Sequence, residues 1–367
     1  MNISALRRYD WLLIGLVTIL VAVGFSFVYS ASLSLGLQRD LLLRQGIAAL
    51  FGLVLLVAAM VVDYRILKTW ARPLYVIAVV LLVAVLFLGT EVRGSHAWFN
   101  LGFFNFQPSE FAKVVVIVVL AKYFSDNREE LSLFKHLVIS FAYILLPSVL
   151  VLVEPDLGSA LLIIGIWVGM VLTVGIKRWH ALVFLASGIL VALIAWNFLL
   201  VDYQKERITN FLAPLENCQS FSGYNVCQSY IAIGSGGMTG RGFAQGTQSQ
   251  LNFLPEKHTD FIFAVIAEEL GFVGSVFLLV VFGAFFLRSF WISQKAQDNF
   301  GLFVALGVGV LFVVQTIVNL GANMGVLPVT GVTLPFVSYG GSSMVFSLML
   351  VGVLLSVHLR HKKQRFA

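Results

Sequence analysis

The chain is predicted to be an all-α, polytopic membrane protein of about ten transmembrane helices. Both termini are expected to be cytoplasmic, with one large extracytoplasmic loop over 202–259 and a single integral membrane domain over 1–367. Three observations predict this. Hydrophobic residues make up 59% of the 367 and charged residues only 11%, with a mean hydropathy of +0.94, against about 25% charge in a soluble globular domain. Apolar runs of about 17–25 residues, the length that crosses a hydrocarbon core of about 30 Å, recur from end to end. They fall at 10–30, 45–62, 74–90, 108–124, 137–153, 158–176, 180–201, 271–287, 301–321 and 342–358. The polar gaps between them alternate in Lys and Arg content, as loops on the two sides of a membrane do.

The alternation fixes orientation. Sixteen Lys and Arg, among them Arg65, Lys68, Arg72, Arg128 and Arg360, fall in gaps on the side of the N-terminus. Seven fall opposite: Arg39, Arg44, Arg93, Lys205, Arg207, Arg241 and Lys257. The richer side is the cytoplasmic one, so an even number of spans follows. The net charge of +6 is then mainly a topology signal, with anionic lipid at the inner surface as its contact. No basic patch with interleaved aromatics is present, which argues against nucleic-acid binding.

The first run, after Arg7-Arg8, is about 20 residues long against about 7–15 for a signal-peptide core, so it reads as an uncleaved span. Two later spans open on Pro and an acid, Pro108-Ser109-Glu110 and Pro155-Asp156, where fixed φ and a carboxylate suit free N–H groups and the positive dipole end. The gap 202–259 is too long for a plain connection and carries Tyr203, Phe211, Tyr224, Tyr230, Phe243 and Phe253, which suits a loop lying on the outer headgroup layer. Cys218 and Cys227 both fall in it, and outside the cell they can form a disulfide or stay free thiols. The run from Gly234 to Gly242 reads as a turn or as a backbone cradle for a diphosphate, although it lacks the nucleotide-binding Gly-x-x-x-x-Gly-Lys-Ser/Thr pattern. In the last outside gap, Asn323 to Ser343, the density of Pro and Gly predicts non-helical backbone at membrane depth, buried in protein or lining a cavity.

Ionisable residues inside a membrane are costly, so each is a candidate for function. Here they gather toward the outer side. Glu110 and Lys113 are three apart, on one helix face, and can pair, either to orient helices or to position a substrate. Asp260 opens a stretch of about 28 residues to Arg288, about 42 Å at 1.5 Å per residue, too long for one untilted crossing. The expectation is a short helix from Thr259 to about Leu270, containing Glu268 and Glu269, and then the crossing after Gly271. Thr259 is the expected N-cap. Asp260 then complements a helix dipole or, with Lys257, His258 and Arg207 on the same side, moves a proton beside an anion. No nucleophile-elbow pattern accompanies His258.

These segments resemble the SEDS family (shape, elongation, division and sporulation). The resemblance rests on Phe106-Gln107-Pro108-Ser109-Glu110, Pro155-Asp156-Leu157-Gly158, His258-Thr259-Asp260-Phe261, Ala267-Glu268-Glu269-Leu270-Gly271, Asn319, Pro328-Val329-Thr330-Gly331 and Ser338-Tyr339-Gly340-Gly341-Ser342-Ser343, and it covers nearly the whole chain. Gly246-Thr247-Gln248-Ser249-Gln250-Leu251 and short tails are similar to its elongation branch rather than its division branch. The resemblance implies a bacterial peptidoglycan glycosyltransferase, multi-pass in the cytoplasmic membrane, polymerising lipid II on the outer face. Its implied partners are the class B penicillin-binding protein 2 transpeptidase and the elongation machinery. It implies that Asp260 is essential and that Glu110 and Lys113 form a salt bridge in the same cavity, with Trp98 and Ser338 in the matching motifs.

Asp260 is then the expected general base, with Arg207, Lys113, Lys257 and Arg241 as cations for the undecaprenyl diphosphate leaving group. A divalent cation, Mg²⁺ or Mn²⁺, is expected to bridge Asp260 and the diphosphate; no organic cofactor is expected. The chain departs from the family pattern at Ala97, where Arg is frequent, at Glu154, where Gln is common, and in a lengthened segment around Cys218 and Cys227. Two other readings are a lipid II flippase, for which internal repeats and broken helices at the midplane are expected, and a non-catalytic scaffold for the transpeptidase.

Overall fold

The computed structural model describes residues 9–92, 95–100, 102, 105–131, 133–174 and 221–361, with a few positions from 179 to 218. Helices α1 (Trp11–Leu33), α2 (Gln38–Val61) and α3 (Arg65–Leu88) are followed by a small sheet and then α4 (Pro108–Asp126), α5 (Phe134–Val153) and α6 (Leu157–Val174). After the segment of isolated positions come α7 (Phe221–Ser235), a single turn at Thr247–Gln250, α8 (Ile262–Gln294), α9 (Asn299–Asn323) and α10 (Gly341–Arg360). Among the described residues eight helices, α1, α2, α3, α5, α6, α8, α9 and α10, are long and apolar enough to cross a membrane. The span expected at 108–124 is α4, which is less apolar because it carries Glu110, Lys113 and Lys122 yet is buried from Ala112 to Ala121. Most of the span expected at 180–201, the terminal tails, Tyr203, Arg207 and Phe211 lie outside the described residues.

Local chemistry explains several starts. The Asp10 carboxylate accepts from Leu13 N (3.1 Å) at the head of α1, and Asp298 accepts from Gly301 N (2.7 Å) at the head of α9, each satisfying a free N–H of a first turn. Pro108 stands at the start of α4, where its missing N–H costs nothing. Asp156 caps α6 through Ser159 N (2.9 Å).

The two ends of the bundle differ. One end carries the ion pairs Arg65–Asp298 (2.9 Å), Lys68–Asp126 (2.7 Å), Arg288–Asp10 (2.7 Å) and Arg360–Asp63 (3.2 Å). They join the start of α3 to the approach to α9, the ends of α8 and α10 to the turns before α1 and α3, and α3 to the end of α4. This is the end that the positive-inside pattern assigns to the cytoplasm. The interior is built on α4, α9 and α10, while α2 and α3 face outward: 89% of the α10 span is buried against 17% of the α2 span. Phe87 and Leu50, 82% and 65% exposed, are what a lipid-facing surface requires. α10 and α2 pack closely because Gly352 has no side chain; a Cβ there would lie 2.3 Å from Leu56 O.

Three features depart from or sharpen the expectation. The gap 91–107 is not helical or plain loop: β1 (Thr90–Val92), β2 (Ser95–Asn100) and β3 (Asn105–Phe106) form an antiparallel sheet in the order β1-β2-β3, with Thr90 opposite Trp98 and Phe99 opposite Phe106. Strands this short carry too little periodicity to read from sequence. α8 is divided as expected at Gly271, whose φ of 67° and ψ of −160° interrupt the helix. Its first segment starts at Ile262, however, with Phe261 at the N-cap position and no side-chain cap; Thr259 instead donates back to Glu256 O (3.2 Å).

The segment after α9 is irregular through Gly340 and buried at Val332, Leu334, Phe336 and Val337, as its Pro and Gly content predicts. In the large loop, Cys218 and Cys227 are joined by a disulfide with Cα atoms 5.8 Å apart. Ile231, Phe243, Leu251 and Phe253 are exposed there, the surface expected of a loop lying on headgroups.

Gly271 offers a direct test. Its conformation is one that only glycine adopts without strain of about 1–3 kcal/mol, and a Cβ would stand 2.3 Å from Gly240 N. Gly271→Ala is expected to lower the melting temperature of the detergent-purified protein clearly; an unchanged melt would show that the loop does not close on α8 there.

Candidate functional site

Asp260 is held through its main chain. Asn319 and Asn323, one turn apart on α9, both donate to the Asp260 carbonyl oxygen, at 3.0 and 2.8 Å. Ser338 Oγ donates to Thr259 O (2.6 Å), and Tyr339 N donates to His258 O (2.8 Å). Gln45 of α2 steadies that turn from the other side, donating to Ser338 O (3.3 Å) and accepting from Gly340 N (3.3 Å). Three consecutive residues, 258–260, are thus fixed by α9 and the irregular segment. The carboxylate is directed toward Gly331: a Cβ on that glycine would lie 3.9 Å from Asp260 Oδ2.

Gly331 lines a cavity of about 90 Å³ together with Trp98, Glu110, Lys113, Asp156 and Gln315. Asp260 does not line it and adjoins it through Gly331. Lys113 Nζ and Glu110 Oε1 are 2.9 Å apart, with side chains 2% and 12% exposed. Asp156 Oδ2 accepts from Gln107 Nε2 (3.1 Å), so the residue that starts α6 also ties it to the start of α4. Close contact of α6 with the irregular segment depends on Gly158, where a Cβ would lie 2.4 Å from Thr330 O. The motifs read separately in the sequence, 106–110, 155–158, 258–261 and 328–343, converge on this one end of the bundle, opposite the ion-pair belt.

Other expected site residues go elsewhere. Lys257 is buried (2% exposed) and donates to Asn252 Oδ1 (2.7 Å), Ser34 Oγ and Ser249 O. All three ammonium hydrogens serve to fasten the loop to the end of α1, and burial draws its pKa down to about 8, opposed by the nearby Glu268 carboxylate. His258 lies against the Tyr339 ring, centroids 5.6 Å apart. Arg241 is exposed and donates to Ser235 O (3.3 Å).

The diphosphate-cradle reading of 234–242 loses the N–H groups at the end of that run. Arg241 N and Gly242 N donate to Glu268 O and Glu269 O (both 3.0 Å), and Gly240 N donates to Gly236 O (2.9 Å). Those N–H groups are spent on α8 and on the turn itself. Glu268 accepts from Gln248 N (2.8 Å) and Ser249 N (3.1 Å), and Glu269 accepts from Ala244 N (2.9 Å) and Ser30 Oγ. The two buried glutamates are loop anchors. Asn323 and Gln45 were not given a site role in the sequence; a polar side chain on an otherwise buried helix face was the available signal.

Glu154, at the end of α5, is fully buried, and burial with Asp156 nearby pushes its carboxyl up to about 8. The folded state then keeps a proton that the unfolded chain releases, so stability is greatest below about pH 4.5 and is lost as pH rises through about 8. Glu154→Gln is expected to flatten this dependence and to raise the melting temperature at pH 9 by at least about 3 °C, roughly 1 kcal/mol for a large domain. An equal melt of the two proteins at pH 9 would refute it.

Fold and site together define a polytopic membrane protein with a carboxylate beside a cavity that contains an ion pair. Residues 10–363 match the cell cycle protein family of FtsW, RodA and SpoVE. The peptidoglycan glycosyltransferase MrdB of Escherichia coli K12 is 41% identical over 317 residues, covering 85% of this chain and 84% of that protein. The fold is similar to a solved chain from a study of how a peptidoglycan synthase complex coordinates polymerization and crosslinking. That similarity has a TM-score of 0.81 at 35% identity and covers 97% of this chain and 99% of that one. It is also similar to the rod shape determining protein RodA of Thermus thermophilus (TM-score 0.71, 32% identity, 95% of this chain and 96% of that one). The chain belongs to the FtsW/RodA/SpoVE family and is an integral membrane protein.

Proposed function

We propose that this protein is a peptidoglycan glycosyltransferase of cell elongation that polymerises lipid II on the outer face of the cytoplasmic membrane, with Asp260 as general base. The observation that carries the proposal is the placement of Asp260: main chain clamped by α9, carboxylate beside a cavity that holds Glu110 and Lys113, at the bundle end away from the basic belt. The disulfide in the adjoining loop supports an extracytoplasmic position, since disulfides persist outside the reducing cytosol.

The reaction is an inverting glycosyl transfer. The C4 hydroxyl oxygen of the acceptor sugar forms a bond to the donor's anomeric carbon, the bond from that carbon to the diphosphate oxygen breaks, and the hydroxyl proton passes to Asp260. Undecaprenyl diphosphate leaves with the bonding electrons. A fixed base within about 3 Å of the attacking oxygen contributes about 10²–10⁴-fold. The cavity, about 90 Å³, holds a hydroxyl and its water but not a disaccharide, for which ligand pockets of at least about 300 Å³ are typical. The sugars therefore lie across its mouth.

Of the cations expected for the leaving group, Lys113 is the one that lines the cavity among the described residues; Arg207 is retained in the proposal for the same charge. Among the described residues no cluster of three or more metal-ligating side chains occurs. One carboxylate plus substrate phosphates nevertheless suits Mg²⁺, so Asp260 is the residue that would hold a divalent cation, and such an ion would neutralise charge on the diphosphate.

The relative solved in a peptidoglycan synthase complex supports a class B penicillin-binding protein, the penicillin-binding protein 2 transpeptidase, as partner, and with it the elongation machinery. The test is to incubate the purified protein, with and without that partner, with labelled lipid II in detergent, where no compartments exist. Glycan strands are expected on a gel; a flippase or a scaffold makes none, and folded protein plus partner that leaves lipid II unpolymerised would overturn the proposal.

A further inference from the structure

At the opposite end of the bundle, a cleft of about 500 Å³ opens between α3, α4 and α5, lined in part by Arg72, Tyr75, Lys122, Tyr123 and Tyr143. Arg72 comes from α3 and Lys122 from α4. Neither has a carboxylate within ion-pair distance among the described residues, although the four pairs of the belt show that acids are available at this end. The one acid in the cleft, Asp126, is already neutralised by Lys68 at 2.7 Å. Two of the three tyrosine hydroxyls are also engaged, Tyr75 donating to the Tyr143 carbonyl oxygen (3.0 Å) and Tyr123 bonded to His136 Nδ1 (2.8 Å). They form a fixed amphipathic rim, and two positive charges face the same space without compensation.

Depth identifies the occupant. Arg72 lies seven residues into α3, about 10 Å from its end, and Lys122 four residues from the end of α4, about 6 Å, at 1.5 Å per residue. Arg72 stands two residues before the apolar run 74–90 and Lys122 two residues from the end of the run 108–124, so both lie at the boundary between the hydrocarbon core of about 30 Å and the headgroup layer. Toward the membrane interior the cleft continues over Val76 and Val119, and the neighbouring surface is apolar and exposed at Trp70, Ile77 and Ile139. A small soluble anion would use the charges and waste the apolar wall.

We propose that Arg72 and Lys122 bind the phosphate of an anionic phospholipid of the inner leaflet, with one acyl chain lying along Val76 and Val119. Basic pockets between transmembrane helices on this side of a membrane suit such headgroups. The lipid bridges α3 to α4, and α4 is the helix that carries Glu110 and Lys113 at its other end.

The full-length protein, delipidated in neutral detergent, is titrated with phosphatidylglycerol, phosphatidylcholine or inorganic phosphate and the bound species are counted by native mass spectrometry. Wild type is expected to retain one phosphatidylglycerol in preference to phosphatidylcholine, and the double variant Arg72→Gln, Lys122→Gln to bind it about thirtyfold more weakly, from about fivefold per basic residue. Arg72→Lys, which keeps the charge and the fold, should stay close to wild type, and Lys295→Gln, at the same end but outside the cleft, should change nothing. Equal binding of phosphatidylcholine, displacement of the lipid by inorganic phosphate, or unchanged binding by the double variant would each overturn the site. If the double variant does not fold, the phosphatidylglycerol preference of wild type and Arg72→Lys decides the matter.

Discussion

Asp260→Asn is expected to lower glycan polymerisation by about 10²–10⁴-fold, the contribution of a positioned general base, while leaving the folded protein intact. Survival of the fold follows from how the residue is held. Asn319 and Asn323 bind its carbonyl oxygen, and the Ser338 and Tyr339 bonds go to the carbonyls of Thr259 and His258. An amide side chain leaves that main-chain scaffold in place and removes the capacity to accept a proton. The measurement is single-turnover polymerisation of labelled lipid II beside a thermal melt of the same preparation. Wild-type rates in a well-folded Asp260→Asn variant would remove Asp260 from the mechanism.

Breaking the Glu110–Lys113 pair is expected to have the largest effect on stability. Lys113→Met leaves the Glu110 carboxylate nearly buried, 12% exposed, without its partner, and uncompensated buried charges typically cost about 3–5 kcal/mol. Removing both charges, Glu110→Gln with Lys113→Met, should recover much of that stability, because two neutral groups of similar shape avoid the desolvation penalty. Polymerisation should not recover with it, since the cavity then lacks its cation. A double variant with restored stability and restored activity would make the pair purely structural. A Lys113→Met protein as stable as wild type would show instead that water reaches the pair.

Much of the architecture was legible because a bilayer imposes a strong filter on sequence: a run either is long and apolar enough or it is not. Even the break at Gly271 could be read, from a stretch too long for one crossing with a glycine inside it. The ion pair was legible because an i, i+3 spacing on a helix fixes its geometry in advance. Lys257 was misread for the opposite reason. Proximity in sequence to Asp260 put it at the same end of the bundle, but its direction is set by Ser34, Ser249 and Asn252, acceptors up to 223 residues away. Glu268 and Glu269 looked like intramembrane charges and are instead partners for loop N–H groups, which no local pattern announces. The sheet at 90–106 was hidden because its strands are held by pairing with one another rather than by an amphipathic repeat.

Gly271 has a mechanical consequence. The helical segment before it, beginning at Ile262, carries Asp260 just beyond one end and Glu268 and Glu269 at the other, a span of about 13 Å at 1.5 Å per residue. Because the glycine separates this segment from the long crossing that follows, the segment is a short lever whose handles are gripped by the 244–249 loop. Asp260 and the loop are connected in series. At its other end the segment is held by the Asn319 and Asn323 bonds to Asp260 O, so the 244–249 loop and α9 grip opposite ends of one short helix.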